Sequence, residues 1–491
     1  MDVSRMIGLA LVGVLSASAL ASDSDALRAK IAELEAGQQQ TNLLLDSLQS
    51  DLDRVRAESS DDWLSHERAE KIKGLVQDVL ADADTRASLQ GSGATSGYDK
   101  GFFIASQDGN FKLTMNMNMQ FRFLWDHRDN PPAASPSNPG MPASNPTATD
   151  VFGFTNQRTA LIFKGHVFDP SLTYFAQFMW GANYASTLLD AWIGKTLDGG
   201  WSVKAGKFRT PFSRDMLVGY THQLAVDRPL MGYYFCIGRS QGLQAKYQGD
   251  NCRFTAATFE AFEPIGGLPA LGQWNSTYDS IAFAARCDWL VSGSWSDVQS
   301  YTAFSPSETA VLLGGAVAYA TANQSLYDAP GPQQHDFRST ADATINFDGG
   351  SLAASVVMAH LSENPRNRPR ERDTVWGLNV QGAIFLSDDV QAYSRYQWAD
   401  SQFSGDDDLS IVQLGINYYI HGQNVKWTTD IGYSFNQISA TYFTMAQAPV
   451  NPALLPGNTA GINNGGSNFT GWTEDGGDGQ WLIRSQLQLS F

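Results

Sequence analysis

The sequence predicts an all-β fold: a sixteen-stranded antiparallel transmembrane β-barrel preceded by an N-terminal α-helical coiled coil. Three observations point there. Apolar and polar residues alternate at strand period from Tyr98 onward, as in "FKLTMNMNMQFRFLW" at 111–125, where only Leu124 breaks the pattern. Long and short connections alternate between these runs, as in outer-membrane barrels. The last residues, "WLIRSQLQLSF", place Trp481, Ile483, Leu487, Leu489 and Phe491 on one face. The composition is compatible, with 491 residues, 43% hydrophobic, 12% aromatic and 45 Gly. A net charge of −17 argues against nucleic acid as a partner, and three cysteines are too few for a disulfide scaffold.

Residues 1–21 read as a signal peptide: Arg5, an apolar run from Met6 to Leu15, then Ala19-Leu20-Ala21 as the cleavage motif. The run is too short to span a bilayer. Residues 22–57 read as a periplasmic coiled coil. Leu27, Leu34, Thr41, Leu48 and Val55 form one heptad position, and Ile31, Gln38, Leu45 and Leu52 the other. The apolar core is then Leu27, Ile31, Leu34, Leu45, Leu48, Leu52 and Val55, with polar layers at Gln38 and Thr41. Residues 58–97 hold a second helical stretch, Trp63 to Leu89, and "GSGATSG" at 91–97 as a flexible linker.

Residues 98–491 form the barrel. The expected strands are 111–125, 152–168, 171–181, 187–196, 199–208, 240–249, 251–262, 278–290, 309–320, 335–347, 351–362, 374–386, 389–402, 408–420, 424–438 and 479–491. Every second connection is a tight turn, except 291–308. The others are mostly long and polar, including 209–239.

Alternation assigns the inner face. Arg122, Arg158, Lys164, Lys246, Arg253, Arg286, Arg338, Arg395, Lys426 and Arg484 are expected to line the lumen, with His166 and the acids Asp190, Glu260, Asp336, Asp342 and Asp430. A cationic lumen favours anions. Alternatively, these cations pair with inward or loop acids, and both readings stay open. Lys207, Arg209 and Arg214 open the 209–239 connection; they sit either at a constriction or as ordinary loop charges. Pairing Glu260 with Asp279 would set Cys252 opposite Cys287 on the outer face, as a disulfide or as two lipid-facing thiols.

Several motifs resemble the phosphate-selective porin O and P family: Asp108-Gly109-Asn110 before the first long strand, Arg158 and Gly165 in the second, Gly206-Lys207-Phe208 with Pro211-Phe212, and "ARCDW" at 285–289. The resemblance covers residues 101–491 and implies a sixteen-stranded homotrimeric porin for small hydrophilic solutes. It does not imply phosphate, because the family's arginine ladder and lysine cluster have no residue-by-residue match here. The terminal Phe491 resembles the signal read by the barrel-assembly machinery.

The expected function is passive diffusion through the outer membrane with a weak anion preference. The alternative is a structural envelope protein whose barrel anchors a coiled coil tethered to the cell wall. The expected partners are a second and third copy of the chain, outer-membrane lipid, the barrel-assembly machinery and the cell wall. No cofactor, metal or catalysis is implied: the seven histidines are scattered, without nucleophile, zinc or phosphate-loop spacing.

Overall fold

The computed structural model describes residues 94–130, 149–181, 186–260, 262, 279–323, 333–361, 372–401, 406–439, 442, 470–473 and 477–491. The signal peptide, the heptads and the second helical stretch lie outside the described residues. The strands are β1 (Ala94–Tyr98), β2 (Phe102–Ser106), β3 (Lys112–His127), β4 (Asp150–Val167), β5 (Asp169–Gly181), β6 (Ser186–Thr196), β7 (Trp201–Arg209), β8 (Arg239–Gln248), β9 (Cys252–Phe259), β10 (Asp279–Ser292), β11 (Ala310–Asn323), β12 (Gln333–Phe347), β13 (Gly350–Leu361), β14 (Thr374–Phe385), β15 (Val390–Ala399), β16 (Leu409–His421), β17 (Val425–Ser434) and β18 (Trp481–Ser490). From β3 onward each strand pairs antiparallel with the next. β18 pairs back onto β3, so the sheet closes as a sixteen-stranded barrel.

Alternation holds where it was read. On β14, Val375, Asn379 and Gln381 are buried inside while Trp376, Val380 and Ile384 stand exposed outside. Leu124, the exception on β3, faces inward and packs against the interior apolar cluster. The barrel wall thus presents an apolar outer face to lipid and a mixed inner face.

Two elements correct the sequence reading. Residues 94–98, assigned mostly to a linker, form β1, which pairs with β2. β2 in turn pairs with the start of β3, Phe102↔Met115 to Ala105↔Lys112. It continues the edge that β18 occupies from His127 to Asn118. Ladder bonds use the main chain, so a Gly/Ser-rich segment can still add to an open edge. The Phe491 main chain exchanges hydrogen bonds of 2.9 and 3.0 Å with Met117, and its ring meets Phe102 edge-on at 5.9 Å.

The second correction is a register. β9 and β10 pair with Cys252 opposite Trp289 and Cys287 opposite Phe254, two residues from the expected pairing. Both thiols are exposed, Cys236 is buried, and none of the three is in a disulfide. Alternation forbids a one-residue slip, which would invert every side chain, but a two-residue slip preserves both faces.

The connection between β7 and β8, expected to be a polar loop, folds into the barrel. It carries α1 (Arg214–Leu217), a 3-10 turn at Tyr220–His222 and α2 (Leu230–Tyr234). Ser213 caps α1 by accepting from the Met216 amide. Its apolar residues are the reason for the inward course. Phe212, Leu230, Met231, Tyr234, Phe235 and Ile237 pack with Ala257, Ala284, Ala316, Ala318 and Ala359 of the wall. The small wall residues leave room for the large ones of the segment. Burying each large side chain contributes on the order of 1.5–3 kcal/mol.

A second connection also turns inward. Residues 293–309, between β10 and β11, replace what is elsewhere a tight turn. Gly293 starts it at φ +81, a left-handed conformation where a Cβ would lie 2.4 Å from the Ala310 Cβ. Val298, Tyr301 and Ala303 are buried.

Candidate functional site

Most cations expected to line an open lumen hold the inserted segment instead. Arg122 and Arg158 reach Asp227 of the segment at 3.1 and 2.9 Å. The Tyr233 hydroxyl donates to the same carboxylate at 2.8 Å. Burial disfavours the Asp227 carboxylate, but Arg158 and Arg122 outweigh it and hold its pKa below the ordinary range.

Other wall cations donate to carbonyls of the segment. Arg286 reaches Phe212 at 2.7 Å, Lys426 reaches Gln223 at 2.8 Å, and Arg395 reaches Asp227 at 2.8 Å. Arg338 reaches Phe235 and Cys236 at 3.1 and 3.0 Å. Such carbonyls would otherwise be buried without a donor. Acids complete the ties: Arg286 with Asp342 and Asp288, Arg338 with Asp336, and Arg484 with Asp430. Seven of the ten expected lumen cations therefore face inward, as alternation required, but are buried in these contacts. Glu260 lies beyond the end of β9, its amide bonded to the Gln241 carbonyl at 3.1 Å. The inward Asp126 and Asp288, and Asp215 and Asp227 of the segment, were not among the expected acids.

Among the described residues, one open space lies to one side. A cavity of about 470 Å³ is bounded by β5 to β10, by the start of the segment and by the 293–309 connection. It is lined by Lys204, Arg209, Arg214, Lys246, Arg253 and Arg286 against Asp190 and Asp288. The Nε atoms of Arg209, Arg214, Arg253 and Arg286 are buried and have no hydrogen-bond partner. Asp190 is engaged by Arg239 at 2.9 Å. Aromatic rings form part of the wall: Phe175 stacks on Trp192 at 5.5 Å, and Lys204 lies 5.3 Å from the Trp192 ring. The cationic lining suits an anion by charge.

Of the expected site residues, the cavity gathers Lys246, Arg253, Arg286, Arg209 and Arg214. Lys164 lies on β4 opposite Thr114, outside the cavity. His166 bonds the Gly109 carbonyl at 2.8 Å. Lys207 pairs across from Gln241 on the outer face, away from the constriction proposed for it. Lys204 was missed, although Val203 and Ala205 on either side already placed it inward.

Residues 149–280 match the family model of phosphate-selective porin O and P. The chain resembles that family. No curated protein matches it. Solved structures similar to the barrel include an anion-selective porin from Comamonas acidovorans, 10% identical, covering 77% of this chain and 99% of that one, at a TM-score of 0.47. Salmonella typhi OmpF in complex with daunomycin is 14% identical over 80% and 100% of the two chains, at 0.45. OmpT of Vibrio cholerae is 12% identical over 77% and 98%, at 0.44. The matched stretch runs from the start of β4 to the start of β10 of the closed sixteen-stranded barrel.

Proposed function

We propose that this protein is an outer-membrane porin that passes small hydrophilic solutes and ions passively, with a weak anion preference, through the side cavity rather than along the barrel axis. The observation that carries this reading is the cavity lining, six cations against two carboxylates. Such a lining lowers the barrier for anions more than for cations. Reversal potentials in a salt gradient across a planar bilayer test it. An anion-selective wild type is expected; clear cation selectivity at low salt overturns it.

A structural envelope protein is the second reading, favoured by the packing of the segment against the inner wall. In that case the bilayer recording is silent. We also place the N-terminal residues in the periplasm and assign trimer support to the heptads at Leu27 to Val55. Deleting residues 22–90 should leave an insertable barrel whose oligomer dissociates at a lower temperature. An unchanged dissociation temperature would favour a tether to the cell wall.

A further inference from the structure

Among the described residues, the 293–309 connection is the element that the channel reading leaves unexplained. A tight turn would join β10 to β11 as well. Instead the chain enters the barrel and is fixed from several sides. Ser294 closes on Asp297, with its amide and hydroxyl donating to one carboxylate oxygen at 2.8 and 2.7 Å. The Asn346 amide of β12 donates to the Asp297 and Ser300 carbonyls at 2.6 and 3.1 Å. The Tyr301 hydroxyl donates to Asp215 at 3.1 Å, and Arg214 donates to the Val298 carbonyl.

This framework presents Trp295 to the cavity. The indole N–H donates to the Gly249 carbonyl at 3.0 Å, which fixes the ring plane. The Arg253 guanidinium carbon lies 4.0 Å from the ring centroid. A cation over an indole face is attracted by the ring quadrupole. Stacking also limits the rotamers of a long side chain that no acid holds within ion-pair distance among the described contacts. The Nε of Arg253 is one of the four without a partner.

We propose that the 293–309 connection is the specificity element of the passage and that Trp295 is the positioning residue for Arg253. This rests on the anion-channel reading. Held against the indole, the guanidinium keeps its charge at one place on the cavity wall. Released, it spreads over several rotamers and can fold toward Asp288.

The test is a double-mutant cycle read by reversal potential in wild-type-like, heat-modifiable barrels. Trp295→Ala should lower the anion-to-cation permeability ratio about as much as Arg253→Gln, each by roughly twofold. The double variant should show no further loss. Trp295→Phe, which keeps the ring face, should retain most of the selectivity. Two results overturn the proposal: an unchanged ratio in Trp295→Ala while Arg253→Gln shifts it, or additive losses in the double variant. A silent or cation-selective wild type would defeat the channel reading itself, before any variant is compared.

Discussion

Replacing Asp227 by Asn measures how firmly the segment between β7 and β8 is held. The side chain keeps its size but loses its charge between Arg122 and Arg158, both of them buried. Removing one partner of a buried ion pair costs about 3–5 kcal/mol, because the remaining charge stays desolvated. Here two guanidiniums lose the same carboxylate, although Gln486 still accepts from Arg122 and Gln120 from Arg158. At about 1.4 kcal/mol per factor of ten, the docked-to-released ratio should fall roughly a hundredfold to several-thousandfold. Asp227 takes no part in the strand ladder, so the barrel should remain folded and heat-modifiable. The change should appear as larger or noisier single-channel currents and as new protease cleavage within residues 210–238. If Asp227→Asn gives the wild-type current trace and the wild-type digest, the charge cluster does not hold the segment.

Replacing Arg209 and Lys246 together by Gln should move the reversal potential toward cations with little loss of barrel stability, whereas replacing Arg122, Arg158 and Arg286 should first loosen the segment; thermal melts run beside the bilayer recordings separate the two effects. Burial raises the pKa of Asp215, only partly offset by donors from Ser355 and Tyr301 and by the more distant Arg395. Its folded value lies above the unfolded one, so mild acid favours the folded state through this group. The depressed Asp227 works in the opposite sense, contributing above the ordinary carboxylate range and losing that contribution as pH falls through its lowered value. Protease resistance of the segment should therefore persist through mild acid and fail only in stronger acid; Asp215→Asn should remove the mild-acid gain, and release that begins above about pH 5 would refute this ordering. Alkylation without reductant should modify Cys252 and Cys287 in the folded barrel and Cys236 only after unfolding; an intact mass two hydrogens short would instead indicate a disulfide.

The strands were legible because lipid on one side and a packed interior on the other force a period of two. That constraint fixed the inward direction of Arg122, Arg286 and Arg484. It left the Cys252 register open, since two residues can slip without changing a face. β1 and β2 escaped because short strands on an edge need only main-chain partners. The role of the inward cations was hidden for a different reason. Whether Arg395 or Lys426 meets solvent or a carbonyl depends on where a distant connection runs, and alternation within a strand says nothing about that. One signal was nonetheless present: Phe212, Met216, Leu224, Leu230, Met231 and Phe235 are too apolar for a loop in water.

The way the segment is held also constrains how the protein is made. Its carbonyls are matched by Arg395, Asn417, Lys426 and Gln486, which lie 168, 193, 203 and 260 residues away along the chain. Those partners do not exist until the final strands have been delivered. Long sequence separation slows folding, because loop-closure entropy is lost before the contacts that offset it form. Residues 210–238 can meet Arg122 and Arg158 early but complete their docking only once the late strands are in place. Their arrival and the joining of β18 to β3 draw on the same late residues, so seam closure and internal packing are expected to be a single kinetic event.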